Sequence, residues 1–426
     1  MSIFQELCAK FENPETFFRQ DPGIARKLQS NAVEFKETLI FSYPLIQPSA
    51  KDVFLSKNYM YFYTPQEGLT LIYLKWCTLK PFVEETSESV KNFGFTLESY
   101  GRKYDFFTEN EEKLVSWVER LSYKLIMTNF DDDYIVIKLI DSGQFGSVFL
   151  CQDIRTGQEF AVKKVEKSGL ERKKILNYLF NEISIQRKLA HPNVVKLHKV
   201  YEEADCVCLV IEYVREGNLY KRITENKVIK EDEAMKFIRN LIFVLSILHH
   251  KGIIHKDLKP ENILMTSKES LSGFKIADFG LSCLLKNNEF SCSGSPGYMA
   301  PEMLRGLPYT YKVDIFSVGV ITYTLLTGFA PFDAKSTKVL IDKNISCRID
   351  FNSKRLENIS NPTKKLLKDI LNPNPNKRPS ADQILTNLNY FQNWSSDIST
   401  SGIYERAANR ANSDHFSNLA DCYSDR

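Results

Sequence analysis

The stretch HKDLKPEN, residues 255–262, places an Asp, two Lys and an Asn in a short loop between the apolar runs GII and ILM. Polar residues bounded by apolar runs are typical of a loop between two buried segments. An acid, an amide and two cations so close together indicate chemistry as well as packing. The role of these residues can be inferred only from the rest of the chain. The same holds for the presence of Lys256 directly before the acid.

Composition narrows the classes of protein to which this loop can belong. The chain has 426 residues, which at roughly 100 to 200 residues per domain predicts two or three domains. Its 56 basic and 53 acidic residues give a net charge of +3, which is too balanced to indicate a nucleic-acid partner. Nine Cys without a CxxC pair favour a reducing compartment over disulfides or structural zinc. We expect a cytoplasmic protein, with peripheral association at membranes left open.

Two changes in composition divide the chain. The acidic turn DDDY, residues 131–134, predicts a linker, and after residue 391 the chain becomes rich in Ser, Asn, Asp and Ala. We expect residues 392–426 to form a flexible C-terminal tail. Residues 1–30 predict an N-terminal helical segment, in which charged residues interrupt the apolar core that a secretory signal would need.

Residues 36–106 contain short runs rich in aromatic and β-branched residues, such as YMYFY and LTLIYLKW, separated by turn-forming residues. This pattern predicts an antiparallel sheet. The next stretch, TENEEKLVSWVERLSYKL, has apolar residues on one face and a capping residue in Thr108 or Asn110, which predicts a helix. Strands followed by one helix with a central Trp117 resemble a pleckstrin-homology domain, spanning residues 31–128. The resemblance implies a β-barrel with a C-terminal helix.

The partner of this domain is less clearly indicated. The resemblance implies that a phosphoinositide would be bound by basic residues in and around the first loop. That loop, SYPLIQPSA at residues 42–50, has no charge, and only Lys36 and Lys51 flank it. Tight phosphoinositide binding requires several cationic donors. A phosphoinositide and a protein therefore both remain candidate partners, and the uncharged loop favours a protein or the neighbouring domain.

From residue 134 onward, glycines and charges follow one another in an informative order. IVIKLIDSGQFGSVFL contains two strand-like runs joined by a turn with Gly143 and Gly146, which could lie over phosphate groups or could be an ordinary hairpin. The next strand, EFAVKKV, carries Lys163, and the predicted helix after it carries Glu182. The order and spacing of these residues favour a phosphate site over unrelated surface charges.

This order, continued through HKDLKPEN, resembles the eukaryotic protein kinases over residues 134–391. The resemblance implies a multidomain α+β chain in which a bilobal protein kinase fold follows the pleckstrin-homology-like domain. It also implies a buried ion pair between Glu302 and Arg378. The later motifs are IADFG at 276–280, GSPGYMAPE at 294–302 and DIFSVGV at 314–320.

The resemblance assigns a role to each polar residue. Asp257 would accept or orient the substrate hydroxyl proton and Lys259 would stabilise the transferred phosphoryl group. Asn262 and Asp278 would hold Mg²⁺. Lys163 would contact the ATP phosphates, fixed in place by Glu182. The residues implied to bind ATP are Ile140, Gly143, Phe145, Gly146, Val148, Ala161, Lys163, Glu212, Val214 and Leu264.

The run DLKPEN is similar to that of serine/threonine kinases, which implies protein substrates with Ser or Thr acceptors. GSPGYMAPE and TGFAPF, at 327–332, are most similar to the calcium/calmodulin-dependent kinase group. We expect a role in intracellular signalling. The first glycine of the usual turn is replaced by Asp141, and the usual Arg before the catalytic Asp by Lys256. A pseudokinase scaffold without catalysis therefore stays an alternative.

Lys256 also suggests a regulatory switch. In many kinases the cation at this place meets a phosphorylated residue in the segment between the motifs DFG and APE. The resemblance implies Ser291 as the phosphorylated residue, with Ser293 as the alternative. Lys256 could equally replace Arg in a kinase without this switch.

Overall fold

The chain divides into two compact units. The N-terminal unit comprises the residues up to 175 together with 196–213, and the C-terminal unit comprises 176–195 and the residues from 214 onward. A computed structural model describes residues 33–43, 46–56, 59–64, 68–74, 76–85, 91–99, 102–143, 146–169, 173–226, 229–285 and 292–391.

Two predictions concern parts of the chain that the structure does not describe. The N-terminal helical segment, residues 1–30, and the C-terminal tail, residues 392–426, lie outside the described residues and remain predictions. Among the described residues, no helix is both long and apolar enough to span a membrane.

The described part of the N-terminal unit is built on one sheet of thirteen strands. The strands are β1 Phe35–Tyr43, β2 Ile46–Leu55, β3 Tyr59–Thr64, β4 Gly68–Tyr73, β5 Thr78–Glu85, β6 Lys91–Ser99, β7 Arg102–Thr108, β8 Ile126–Met127, β9 Tyr134–Gly143, β10 Gly146–Asp153, β11 Glu159–Glu166, β12 Leu197–Glu202 and β13 Cys206–Glu212. The helices are α1 Glu111–Ser122 and α2 Phe130–Asp133, and a 3₁₀ turn spans Lys167–Gly169.

The strand order of this sheet is β4-β3-β2-β1-β7-β6-β5-β8-β12-β13-β11-β10-β9. Strand β8 is parallel to both of its neighbours, β5 and β12. The other pairs within the sheet are antiparallel. Two residues of β8 therefore join the first seven strands to the last five.

The first seven strands pack one face against a core, and in β1 and β7 buried residues alternate with more exposed ones. Helix α1 begins at the cap Asn110, whose side chain accepts a hydrogen bond from the backbone N–H of Lys113 at 2.9 Å. This confirms one of the two predicted caps. Trp117 of α1 is fully buried, and its indole Nε1–H donates to Glu37 at 2.7 Å. Burial removes the indole N–H from water, and the hydrogen bond to Glu37 replaces the lost one.

The expected closed barrel is not shown. The run of seven strands ends at β4 on one side and β5 on the other, and the described residues of these two strands do not pair with each other. The outer edge of β5 pairs instead, at its first two residues, with another strand, because Thr78 and Leu79 pair with Ile126 and Met127 of β8. The sheet is therefore extended rather than closed.

The segment that we expected to be a linker is ordered. Residues Phe130–Asp133 form the short helix α2, and Tyr134 begins β9. Phe130 and Tyr134 are buried and stack with ring centroids 5.3 Å apart. Asp131 and Asp132 stay exposed, and the aromatic residues on either side of the three acidic residues anchor the segment.

The C-terminal unit is mainly helical. Its helices are α3 Lys173–Gln186, which begins just before the boundary between the units, α4 Leu219–Asn226, α5 Glu231–His250, α6 Pro301–Leu304, α7 Lys312–Thr327, α8 Thr337–Ser346, α9 Asn361–Ile370 and α10 Ala381–Thr386. Its strands are β14 Ile253–Ile254, β15 Ile263–Met265, β16 Phe274–Ile276 and β17 Cys283–Leu284. Short 3₁₀ turns span Pro260–Asn262, Lys354–Leu356 and Leu388–Tyr390.

Helix α7 forms the centre of this unit, with its residues from Val313 to Thr327 all buried. Burial on all sides leaves no water to bind its hydroxyl groups, so each must find a partner inside the protein. Thr322 and Thr324 donate to backbone carbonyls four residues earlier, at 2.7 and 2.8 Å. These hydroxyl groups therefore form hydrogen bonds within the otherwise apolar helix, and its packing is not disturbed.

The predicted ion pair between Glu302 and Arg378 is confirmed. The guanidinium of Arg378 reaches both carboxylate oxygens of Glu302, at 2.7 and 3.1 Å. It also donates to the backbone carbonyls of Asn372 and Lys312. Both side chains are almost wholly buried, so the paired charges lock α6 to the segment before α10.

Candidate active site

A buried carboxylate anchors the backbone of the loop of residues 255–262. Asp314, in the first turn of α7, accepts the backbone N–H of His255 at 3.0 Å and that of Lys256 at 2.9 Å. Lys256 has a φ of 68°, a left-handed conformation that few non-glycine residues adopt. The two hydrogen bonds supply the local support that such a backbone needs.

The charge of Asp314 is set by competing effects. Complete burial by itself raises the pKa of a carboxyl group. The hydrogen bond and charge of His249, whose Nε2 lies 3.0 Å from Oδ2, together with the backbone N–H of His255, outweigh burial and lower the pKa of Asp314. Asp314 is therefore an ionised acceptor that fixes the loop.

Asp257 lies at the centre of a polar cluster. Its Oδ1 accepts the backbone N–H of Ser295 at 2.8 Å. Its Oδ2 lies 2.9 Å from the Nζ of Lys259 and accepts from the Nδ2 of Asn262 at 3.2 Å. Lys259 also donates to the hydroxyl of Ser295 at 2.8 Å. The structure thus brings together three of the predicted site residues, Asp257, Lys259 and Asn262.

Ser295 also belongs to this cluster, a role that was missed from the sequence. Its only signal was its place in the family motif GSPGY. The contact is 36 to 38 residues long in sequence, so no local pattern could reveal it. Gly294 before it has a φ of 141°, and a Cβ there would lie 2.9 Å from the carbonyl oxygen of Lys256. Glycine is needed for this close approach.

Asn262 and Asp278 are brought to one end of the β15–β16 hairpin. Ile263 pairs with Ile276, and the N–H of Ala277 donates to the carbonyl of Asn262 at 2.9 Å. The Nδ2 of Asn262 is committed to Asp257, which leaves Oδ1 as the acceptor of this amide. An amide oxygen and a carboxylate are the hard donors that Mg²⁺ prefers, so this pair fits the predicted metal.

Two further features shape this end of the hairpin. Asp278 has a φ of 60°, another left-handed non-glycine residue, and it accepts the N–H of Gly280 at 3.3 Å. The buried ring of His255 accepts the N–H of Asp257 at Nδ1, 3.3 Å away, and donates from Nε2 to the carbonyl of Ala277, 3.1 Å away. This pattern fixes the neutral Nε2–H tautomer. His255 therefore ties the loop to the segment that carries Asp278, a role missed from the sequence.

The N-terminal unit holds the predicted glycine turn. Gly143 pairs with Gly146 across β9 and β10. Gly146 has a φ of 130°, and a Cβ there would lie 2.3 Å from the carbonyl oxygen of Lys164. Glycine is therefore needed at this position for packing against β11, and an approach of the turn to phosphate stays a prediction. Asp141, in place of the usual first glycine, accepts the N–H of Ser142 at 2.8 Å.

The other predicted ATP-binding residues are distributed as follows. In the N-terminal unit, Lys163 of β11 faces Val148 of β10 in register, and Ala161 faces Leu150. Ile140 is exposed on β9, and Glu212 ends β13. In the C-terminal unit, Glu182 is buried in α3, Val214 is half-buried, and Leu264 pairs with Lys275. Phe145 lies outside the described residues, as does the regulatory candidate Ser291.

The chain is similar to proteins of known class. The sequence pattern of the family described as the protein kinase domain matches residues 134–391. A probable serine/threonine-protein kinase 2 of Plasmodium falciparum is 33% identical over 304 residues, covering 71% of this chain and 58% of the relative. Calcium-dependent protein kinase 12 of Arabidopsis thaliana is 38% identical over 272 residues, covering 63% of this chain and 54% of the relative.

A third relative is covered more fully. A probable myosin light chain kinase of Dictyostelium discoideum is 37% identical over 260 residues, which make up 59% of this chain and 82% of the relative. The chain spans a little over half the length of the Plasmodium and Arabidopsis proteins.

Proposed function

The chain belongs to the protein kinase family and is a protein serine/threonine kinase, and from this premise we propose that it is catalytically competent and acts in intracellular signalling. The family uses ATP and a divalent metal, and we take the metal to be Mg²⁺. The observation that supports catalysis is the cluster of Asp257, Lys259, Asn262 and Ser295, in which the other three residues orient the carboxylate of Asp257.

The carboxylate of Asp257 is arranged to receive a substrate hydroxyl. A carboxylate offers about four lone-pair positions, and the groups on Ser295, Lys259 and Asn262 occupy three of them. The remaining position can accept the hydrogen bond of a Ser or Thr hydroxyl and orient it for attack. The Lys259 cation and the two N–H donors hold the carboxylate in one orientation, as the positioning of a general base requires.

The neighbouring residues bind and neutralise charge. Lys259 places its ammonium beside Asp257, where it can stabilise the phosphoryl group during transfer. Asn262 and Asp278 would hold Mg²⁺ through oxygen atoms. When bound, ATP supplies the phosphoryl group and the metal ion neutralises its negative charge. Lys163 would contact the phosphates of ATP, with Glu182 as its partner.

The test of this function is phosphate transfer to a peptide library with Ser and Thr acceptors, with Mg²⁺ and ATP. We expect Asp257→Asn and Lys163→Met each to lower kcat by about 10²- to 10⁴-fold, because each removes a group that acts in the transition state. Neither change opens a cavity in the core, so both variants should stay folded. Asp342→Asn, on an exposed residue of α8, is the matched control and should keep full activity. Full activity in Asp257→Asn would contradict the assigned role. No transfer by the unaltered chain would favour the pseudokinase alternative.

The relatives also support the narrower group. A calcium-dependent kinase and a probable myosin light chain kinase are among the proteins similar to this chain, which agrees with the calcium/calmodulin-dependent kinase group. Their names describe control of those proteins. We propose membership of the group for this chain without assigning calcium control to it.

We further propose that Lys256 and Ser291 form a regulatory pair. Phosphate on Ser291 would add charge that the Lys256 ammonium can meet as a single point charge, more loosely than an Arg would. Ser291→Ala and Lys256→Ala should lower the activity of protein purified from cells to a similar extent. Because the two residues would act as one pair, the double variant should be little worse than either single variant. Losses that simply add would count against the pair, and a loss in Ser293→Ala without a loss in Ser291→Ala would assign the role to Ser293, the alternative residue.

For the first seven strands and α1, we propose a pleckstrin-homology-like domain of a cytoplasmic protein, whose partner is a protein surface rather than a phosphoinositide. Lys36, one of the two cations beside the uncharged loop, is paired with Asp52 at 2.7 Å. The carboxylate of Asp52 thus already balances the charge of Lys36. In sedimentation with vesicles containing 5% of one phosphoinositide, the full chain should stay in the supernatant, as with phosphatidylcholine vesicles. Selective pelleting with one phosphoinositide would contradict the proposal.

A further inference from the structure

A single line of paired residues crosses the sheet of the N-terminal unit. Thr78 of β5 pairs with Ile126 of β8, which pairs with Val200 of β12. Val200 pairs with Leu209 of β13, and Leu209 pairs with Lys163 of β11. We call these five residues the cross-strand row. It runs from the first seven strands to the lysine that is assigned to the phosphates of ATP.

The row is buried up to its last member. Ile126, Val200 and Leu209 are fully buried, and Thr78 is 4% exposed. Laterally paired residues on adjacent strands point to the same face of a sheet, so their side chains follow one another across it. Adjacent strands are about 4.8 Å apart, which puts Ile126 at roughly 14 Å from Lys163 along the row.

A second set of contacts fastens the same region. The backbone N–H of Phe130 donates to the carboxylate of Glu203 at 2.8 Å, just beyond the end of β12. Asp133 accepts the hydroxyl hydrogen of Tyr201 and lies 3.4 Å from the ammonium of Lys199. Residues 126–134 therefore hold β12 both along its edge and near its end.

Without β8, strand β12 would have a free edge. A strand paired on one side only opens more readily, and such opening is local and need not unfold the whole domain. Opening of β12 would loosen β13, which lies directly beside the strand that carries Lys163. A continuous ladder of hydrogen-bonded strands is a physical route for such coupling.

We propose that the first seven strands position Lys163 through the cross-strand row, so that this N-terminal domain is a fixed part of the nucleotide-binding apparatus rather than a mobile targeting module. Ile126 is the positioning residue at the junction. The proposal rests on the assignment of Lys163 to ATP phosphates. It predicts that loosening the row weakens ATP binding without touching any group that contacts the nucleotide.

The test compares two equal changes in the full chain. Ile126→Ala shortens a fully buried side chain in the row, and Ile72→Ala shortens a fully buried side chain of β4, at the far end of the sheet. Both variants should lower the Tm, since each leaves a cavity. Only Ile126→Ala should raise the Kd for ATP with Mg²⁺, by about threefold to tenfold, measured by titration calorimetry well below both Tm values.

Amide hydrogen exchange gives a readout that is independent of nucleotide. In Ile126→Ala the amides of residues 159–166 should exchange faster than in the unaltered chain, whereas in Ile72→Ala they should not. Equal Kd values and equal exchange in the two variants would overturn the proposal. If the unaltered chain bound no ATP while exchange still separated the variants, the assignment of Lys163 would fail and the coupling through the row would stand.

Discussion

The hydroxyl of Tyr201, on a fully buried side chain of β12, donates a hydrogen bond to the carboxylate of Asp133 at the end of α2. Burial raises the pKa of Tyr201, and the negative charge of Asp133 raises this pKa further. The phenol therefore stays protonated at physiological pH and remains a donor. A charged acceptor makes this bond stronger than one between neutral groups.

Removal of that donor should be costly. In Tyr201→Phe the carboxylate of Asp133 keeps the hydrogen bond from Lys199 but loses the one that the phenol donates. Hydrogen bonds to charged groups contribute about 1.5–3 kcal/mol, and we expect the free energy of unfolding to fall by that amount. The measurement is urea unfolding followed by Trp fluorescence, with Tyr123→Phe, a half-exposed tyrosine, as the control. Equal stability of the two variants would show that the bond contributes little.

Glu302→Gln should destabilise the C-terminal unit strongly. The change leaves the guanidinium of Arg378 buried without a balancing charge, and breaking a buried pair in this way costs about 3–5 kcal/mol. Differential scanning calorimetry should show a lower Tm for the transition of this unit. Glu357→Gln, at an exposed glutamate, is the control and should leave the Tm unchanged. A Tm for Glu302→Gln within a degree of the control would argue against the role of the pair.

Because the pKa of Asp314 is lowered, we expect the stability of the folded protein to decrease in acid. This pKa in the folded protein lies below the ordinary value of 3.8, so the unfolded state takes up protons first as the pH falls. The stabilisation by Asp314 is therefore complete above about pH 4 and is lost as the pH falls through the lower folded pKa. The unaltered chain should exceed Asp314→Asn in Tm at pH 7, and this difference should shrink below about pH 4. A difference that is the same at pH 7 and pH 3 would contradict this account.

Thr78→Val should stabilise the protein. The hydroxyl of Thr78 is buried at the junction of β5 and β8 and has no hydrogen-bond partner among the described residues. Valine has nearly the same shape and no group to satisfy, so we expect a gain of about 1 kcal/mol in the free energy of unfolding. Thr38→Val is the contrasting control, because the hydroxyl of Thr38 donates to Asp52 at 2.7 Å. A loss of stability in Thr78→Val would mean that the hydroxyl is satisfied.

Local patterns predicted much of the fold. The cap of α1, the hairpin at Gly143 and Gly146 and the strand that carries Lys163 follow from turn chemistry and periodicity within a few residues. The ordered motifs predicted the kinase fold, and with it the ion pair between Glu302 and Arg378. These features were accessible because each depends on neighbours in sequence or on a motif of recognisable order.

Long-range contacts were not accessible in the same way. Strand β8 has two residues, too few to show a period, and its partners in β5 and β12 lie far away along the chain. Asp314 reaches the backbone of His255 across 59 residues, although nothing in the run DIFSVGV marks it as an anchor. The expected closed barrel is not shown, and the strand that pairs with the first two residues of β5 could not be recognised from the sequence.

The two-residue strand β8 also determines the order in which the fold can be completed during synthesis. The first seven strands and β8 leave the ribosome before β12 is made, since roughly 70 residues separate Met127 from Val200 and synthesis adds 5–20 residues per second. For several seconds β8 can pair with β5 alone and presents an open edge to solvent. The nascent N-terminal domain is thus a template onto which the later strands add. It is also the place where a chaperone would have to shield the growing chain.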